Sequence, residues 1–320
     1  MQRRHFTAAL AATVAAPFAH AQPAWPSRPI KVLVGYPPGG FTDITARLIS
    51  DKLQARLGQP VIVENKPGAN GIVAVDTLAK AAPDGSTFAV VIAAHAANTT
   101  LYKKLPYDPK DVTGVSLIGV SPLIYAANND GPFKNAKELV AYAKANPGKI
   151  SYGSSGNGSA VHLSTELLKS VTGTQMVHVP YRGSAAAFTD LLGGQIQLFG
   201  DAAQGLIAPG KAGKVRLLGV ASDKRLAALP DVPTFIEQGI PGYVTSTWAG
   251  MLAPAGTPAP IVERMAEAIA AVVKMDDVKA RLDTMGTIPV GNSPAEFNKF
   301  IADETAKWSK VIREAGVTLD

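Results

Sequence analysis

Two glycine-rich stretches carry the residue types needed to hold an anion. The first, Tyr36-Pro37-Pro38-Gly39-Gly40-Phe41-Thr42-Asp43, joins an apolar run to an amphipathic one. Its glycines let the backbone approach a ligand closely. A helix opening there offers unpaired N–H groups at the positive end of its dipole. The second, Gly153-Ser154-Ser155-Gly156-Asn157-Gly158-Ser159, holds the same place between an apolar run and a helical one, and adds hydroxyls and an amide. Each turn also has a structural use, because Thr42 or Asp43, and Asn157 or Ser159, are good helix caps. Asp43 reads as a cap, since a carboxylate beside a bound anion would repel it. One such turn in each half of the chain points to an anion site between the halves.

Other chemistries are short of residues. A P-loop needs Gly-Lys-Ser/Thr at its end, and neither turn supplies it. A nucleophile elbow around Ser155 fails because Asn157 stands where Gly is required. The chain has no Cys, hence no disulfide, thiolate nucleophile or lipid-anchor Cys. His95, His162 and His178 are widely spaced and form no zinc motif. His162 and Glu166 fall one helical turn apart and read as an exposed pair. No cofactor is implied.

These turns need elements to hold them. Pro29–Val34, Val61–Val63 and Thr87–Ile92 read as strands, with helices over Thr42–Leu57 and Gly71–Ala81 between them. The pattern restarts after residue 124. Helices are expected over Lys137–Ala145, Ser159–Val171 and Ala185–Leu192, and strands over Ile150–Tyr152, Met176–Val179, Ile196–Phe199 and Val215–Ala221. A helical tail spans Pro254–Met275, Asp276–Met285 and Pro294–Ala315, and periodicity does not say which half it packs on. Alternating strands and helices predict an α/β fold with a mostly parallel sheet. Ligands of such sheets sit beyond the carboxyl ends of the strands, where both turns fall.

Residues 1–21 combine Arg3 and Arg4, an apolar run from Ala8 to Ala19, and Ala19-His20-Ala21, which is an export signal cleaved near Ala21. The Arg pair followed by Phe6 fits a twin-arginine signal as well as a Sec one. Without Arg3 and Arg4 the formal charge lies two below the +6 of the full sequence. That mild excess, with no dense basic block, argues against nucleic acid as a partner. No later run reaches the roughly 18 apolar residues of a membrane helix.

Several motifs together resemble the Bug family, the substrate-binding receptors of tripartite tricarboxylate transporters. They are Trp25-Pro26-Ser27-Arg28-Pro29-Ile30, the first glycine-rich turn, Glu64-Asn65-Lys66-Pro67-Gly68-Ala69-Asn70-Gly71, Pro83-Asp84-Gly85, the second turn, His178-Val179-Pro180-Tyr181-Arg182-Gly183 and Asp231-Val232-Pro233-Thr234. The likeness covers essentially the whole mature chain. It implies a two-domain Venus-flytrap periplasmic binding protein of type II, with crossovers near Leu123 and Tyr243 and the C-terminal helices returned to the first domain. Domain 1 would be residues 22–123 plus 244–320, and domain 2 residues 124–243.

The resemblance further implies a ligand carboxylate held by Gly39, Gly40, Phe41 and Thr42 on one side, and by Ser154, Ser155, Asn157, Gly158 and Ser159 on the other. His95, after the strand Thr87–Ile92, and Arg182, after Met176–Val179, fall at the same sheet edges. Each also has a structural reading, as a hydrogen-bonded imidazole or a salt bridge. Asp201 meets a ligand ammonium in amino-acid-binding members, or else caps the next helix. Tyr36 and Trp248 read more as packing than as ligand stacking, although Tyr36 borders the cleft. The implied function is periplasmic capture of a dicarboxylate, an aromatic carboxylate or an amino-dicarboxylate by a monomer that passes it to membrane permease subunits. The rivals are an exported hydrolase or transferase using the same cleft, which lacks a triad or metal cluster, and a ligand-presenting partner of a sensor.

Overall fold

The computed structural model describes residues 25–319; the expected export signal and its cleavage point lie outside them. Ile30–Val34 (β1) is followed by a helix over Phe41–Leu57 (α1), Val61–Asn65 (β2), a helix over Ile72–Ala79 (α2) and Thr87–Ile92 (β3). The three strands are parallel with β1 in the middle. β1 is buried at four of its five positions, as expected of a strand covered on both faces. Next come a helix over Ala94–Leu101 (α3) and the long strand Val112–Ala127 (β4).

The second lobe repeats the plan. It runs through Ala136–Ala145 (α4), Ser151–Ser154 (β5), Ala160–Thr172 (α5), Val177–Pro180 (β6), Ser184–Leu192 (α6), Leu198–Ala202 (β7), Ala203–Lys211 (α7) and Arg216–Val220 (β8). β5 lies between β6 and β7, parallel to both. The chain then returns through Ser246–Pro254 (β9) to Ala259–Val272 (α8), Asp276–Thr284 (α9), Ile288–Pro289 (β10) and Pro294–Ala315 (α10).

β4 joins the lobes. From Val112 to Pro122 it runs antiparallel to β9, and from Leu123 onward it pairs antiparallel with β7 and β8. β9 is also antiparallel to β3, so one sheet in the order β2-β1-β3-β9-β4-β7-β5-β6 passes through both lobes. The sheet is therefore parallel within each lobe and antiparallel where it crosses between them.

Each lobe has apolar clusters on both sides of its sheet. α8 packs against α1 and β4, and α10 against α3 and β4, which puts the tail on the first lobe. α10 also touches α5, with Trp308, Val311 and Ile312 clustered against Leu163 of α5 and Leu101 of α3. The tail expected to be helical from Pro254 begins instead at Ala259. Pro254 closes β9 opposite Val112, and the turn after it ends on Pro258, the residue that opens the helix.

Candidate functional site

Parallel strands bring their carboxyl ends to one edge. In the first lobe β1, β2 and β3 release the Tyr36–Gly40 turn, the Lys66–Gly71 loop and the segment leading into α3. In the second, β5, β6 and β7 release residues 155–159, residues 181–183 and α7. The edges meet: Asn70 Nδ2 donates to the Asn157 carbonyl at 3.2 Å. Gly158 sits against Leu101, Leu319 and Asn70 at φ +73°, where a Cβ would lie 2.6 Å from Leu101 Cδ1. Glycine is needed there for both its conformation and its lack of bulk.

The first turn is braced from below. Asp43 is buried, and its carboxylate accepts the Gly39 N–H at 2.9 Å, the Asn65 amide at 2.8 Å and Arg47 Nε at 3.0 Å. Burial raises its pKa, but the bonds from Arg47, Gly39 and Asn65 outweigh that and hold it below the usual range. Asn65 also donates to the Tyr36 carbonyl at 3.0 Å. Asp43 thus fixes the turn rather than capping the helix: the N-cap is Gly40, with no side-chain cap. The first N–H groups of α1 remain open. Gly39 and Gly40 are exposed, Phe41 is half-buried, and Thr42 is buried.

The second turn is tied to the residues beneath it. Ser154 Oγ lies 2.7 Å from His178 Nε2 and also bonds Gly156. Gly158 N–H donates to His162 Nδ1 at 3.0 Å. Ser159 caps α5 by accepting the His162 N–H. Ser155 is half-buried and Asn157 exposed. His162 is buried rather than exposed and turns to Gly158 instead of Glu166. Glu166 takes the Tyr152 hydroxyl at 2.6 Å and Lys169 at 2.7 Å.

The residues beside the turns gather at the same edges. Tyr181 N–H and Gly183 N–H donate to the carbonyls of Ser154 and Ser155, which ties the 181–183 loop to the second turn. Arg182, on that loop, is exposed and makes no hydrogen bond or ion pair among the described residues. Asp201 lies within β7 and accepts Ser184 Oγ at 3.0 Å and the Ala202 N–H at 2.9 Å. It does not cap α7, whose N-cap Ala202 has no side-chain cap. Burial pushes Asp201 up to about 6, partly offset by the bonds from Ala202 and Ser184.

His95 stands on α3, a helix the sequence pattern did not signal. Burial pushes it down to about 4, so at neutral pH it is an uncharged imidazole. A cavity of about 10 Å³ lies between Tyr36, Gly71, His95 and Asn98. His95 Nδ1 and Asn98 Oδ1 are buried there without a protein partner. Asn98 Nδ2 donates to the Asn70 carbonyl at 3.2 Å. The sequence pattern does not point to Asn70 or Asn98, which line this cavity. The one local signal was the glycine-flanked Ala69-Asn70 pair, where both residues take positive φ, 45° and 53°. Trp248 is fully buried and donates to Glu304, which places it in the core.

Among the described residues no group of three or more His, Asp and Glu side chains is placed to hold a metal. No described helix is long and apolar enough to cross a membrane. Two α/β lobes on a shared sheet, with facing strand ends and open helix N–H groups, define a solute-binding receptor of the flytrap class. The chain belongs to the tripartite tricarboxylate transporter family receptors, whose family model matches residues 45–317. This is a family of receptors, not of enzymes. The chain is 35% identical to the protein BugT of Bordetella pertussis over 316 residues, covering 98% of this chain and 95% of BugT. It is similar to the solved structure of R. palustris Rpa4515 with adipate, at a TM-score of 0.85 and 36% identity, over 92% of this chain and 99% of that one. MatC from Rhodopseudomonas palustris with bound malate matches at a TM-score of 0.80 and 32% identity, over 90% and 99%.

Proposed function

We propose that this chain is a monomeric periplasmic receptor that captures a small dicarboxylate and hands it to the permease subunits of a tripartite tricarboxylate transporter. Lobe one comprises residues 22–123 and 244–320, lobe two residues 124–243. The observation that carries the reading is that each lobe's strand-end edge holds a free anion-binding group, the uncapped α1 N-terminus at Gly40, Phe41 and Thr42 on one and the exposed, unpartnered Arg182 on the other. One carboxylate meets the N–H groups of α1, with Tyr36 and His95 as uncharged donors behind it. The other meets Arg182, with Ser155 and Asn157 beside it. The adipate and malate bound by Rpa4515 and MatC support a ligand with two carboxylates.

Magnitudes show what must share the load. A helix N-terminus contributes about 0.3–1 kcal/mol, up to ~2 when partly buried, against about −8 kcal/mol for a micromolar complex. Direct or water-mediated hydrogen bonds and the Arg182 contact supply the rest. Because the ligand touches both lobes only when they are together, binding draws them closed.

Calorimetry and thermal shift with adipate, malate, aromatic carboxylates and amino-dicarboxylates test the reading. Heat with a plain dicarboxylate and no turnover is expected, and silence across the panel defeats it. Asp201 favours a second reading, an amino-dicarboxylate. Its carboxyl is enclosed, has no cation beside it, and lies one residue before the carboxyl end of β7. Asp201→Ala would then abolish binding of the amino acid and leave a plain dicarboxylate unaffected; equal loss of both removes the ammonium role.

A further inference from the structure

We propose that His162 and His178, stacked as neutral imidazoles beneath the second glycine-rich turn, are positioning residues that hold this turn in its ligand-gripping shape. The inference rests on the reading of that turn as one wall of the carboxylate cleft. The two residues lie on different elements, α5 and β6, and the fold brings their rings to 3.8 Å between centroids at 10°. Tyr152 of β5 stacks on His178 at 4.9 Å, and its hydroxyl is fixed by Glu166, which Lys169 braces. From this platform His178 reaches Ser154 at one end of the turn, and His162 reaches Gly158 at the other. Both ends of a five-residue loop are thus anchored to one pair of rings.

The bond to Gly158 dictates a protonation state. A backbone N–H can only donate, so His162 Nδ1 must keep its lone pair and the ring proton must sit on Nε2. An imidazolium has no lone pair to offer, so protonation breaks the anchor. Two charged rings stacked this closely would also repel.

Burial drives the same way. It lowers His162 to about 4, helped by the Lys169 charge, and His178 to about 3, helped by the charge of His162. The charged and titratable groups facing the pair are Glu166 and Lys169 of α5 and Tyr152 of β5. α3 and α10 meet α5 with Ala97, Leu101, Trp308, Val311 and Ile312. A turn that opens releases its imidazoles to titrate near their ordinary 6.5. The gripping shape therefore loses ground as pH falls from about 6.5 toward about 4. Held at Gly158, the turn also meets Leu101, Leu319 and Asn70 of the first lobe, so the pair governs the fit between lobes as well as the turn's own shape.

Two substitutions separate the acceptor from the ring. His162→Asn sets Oδ1 where Nδ1 stood and removes the titration, while His162→Phe keeps a ring and removes the acceptor. Calorimetry with adipate and malate at about pH 7.5 and about pH 5, with amide exchange of Gly158 followed by NMR, reads both. His162→Phe is expected to bind about tenfold more weakly at the higher pH, with Gly158 unprotected. His162→Asn is expected to stay near wild type there and to lose less affinity than wild type on acidification. The common titration of the ligand cancels in that comparison. Wild-type affinity and a protected Gly158 amide in His162→Phe would overturn the proposal, as would an acid loss in His162→Asn as steep as in the wild type. A wild-type protein silent to the whole panel counts against the carboxylate reading instead, and Gly158 exchange in the two variants still decides the positioning role.

Discussion

Arg182 and Asp201 stand at the same strand-end edge and are expected to respond in opposite ways. Arg182 gives up no intramolecular bond when it meets a ligand. Arg182→Gln should therefore weaken a dicarboxylate about tenfold or more, since hydrogen bonds to charged groups contribute about 1.5–3 kcal/mol. A monocarboxylate should be little changed, and calorimetry with ligand pairs matched in length checks the difference. Asp201 is held protonated to higher pH than an ordinary carboxylate, up to about 6. Its folded state binds more protons than its unfolded state between the ordinary carboxylate range and 6, so stability falls as pH rises through that window. Above it, Asp201→Asn should raise the melting midpoint by about 2–4 °C, and the gain should vanish below about pH 4. Melting curves of both proteins across pH test the sign.

Among the elements, the first turn owes its shape to a carboxylate behind it. Asp43 links the Gly39 N–H, Asn65 and Arg47, so the loop, β2 and α1 share one buried acceptor. Asp43→Ala leaves those donors without a partner and should cost about 1–3 kcal/mol. Because the folded pKa is depressed, the stabilisation is present above the ordinary carboxylate range and is lost as pH falls through the folded value. Denaturant midpoints of wild type and variant should therefore converge in acid. The second turn is built differently, with the Ser154 hydroxyl, the Gly158 N–H and the Ser159 hydroxyl taken up by His178, His162 and the α5 cap. One lobe thus offers open backbone donors, and the other offers a pre-shaped loop with Arg182 beside it.

Across the whole molecule, the lobes share β4 and β9 and also touch through α5, α3 and α10. Gly158 of the second lobe lies against Leu101 and Leu319 of the first. Gly158→Val adds bulk where a Cβ alone falls 2.6 Å from Leu101 Cδ1, and it strains a left-handed residue. The variant should stay folded, with its lobes held apart and ligand affinity reduced. Small-angle scattering with saturating ligand should then give a larger radius of gyration than the wild type, and an equal radius would show that the contact does not gate closure.

The sequence by itself determined the strand–helix alternation, both glycine-rich turns and the family, because these depend on periodicity, turn chemistry and motifs read within a few residues. The two turns, over residues 36–43 and 153–159, were legible for that reason. The crossovers near Leu123 and Tyr243 came from the family resemblance and not from periodicity, since β4 carries Gly114, Gly119 and Pro122 inside its run and β9 ends on a proline. Both are strands because they pair with each other and with β3, β7 and β8. Tertiary structure alone also decided which polar groups were free. His162 looked like an exposed partner of Glu166 and became a buried acceptor, because a ring sixteen positions away on β6 stacks on it. Asn70 and Asn98 meet because the loop after β2 converges on α3. Local chemistry fixes what a residue can do. Only the packing of distant segments fixes which of its hydrogen bonds are already taken.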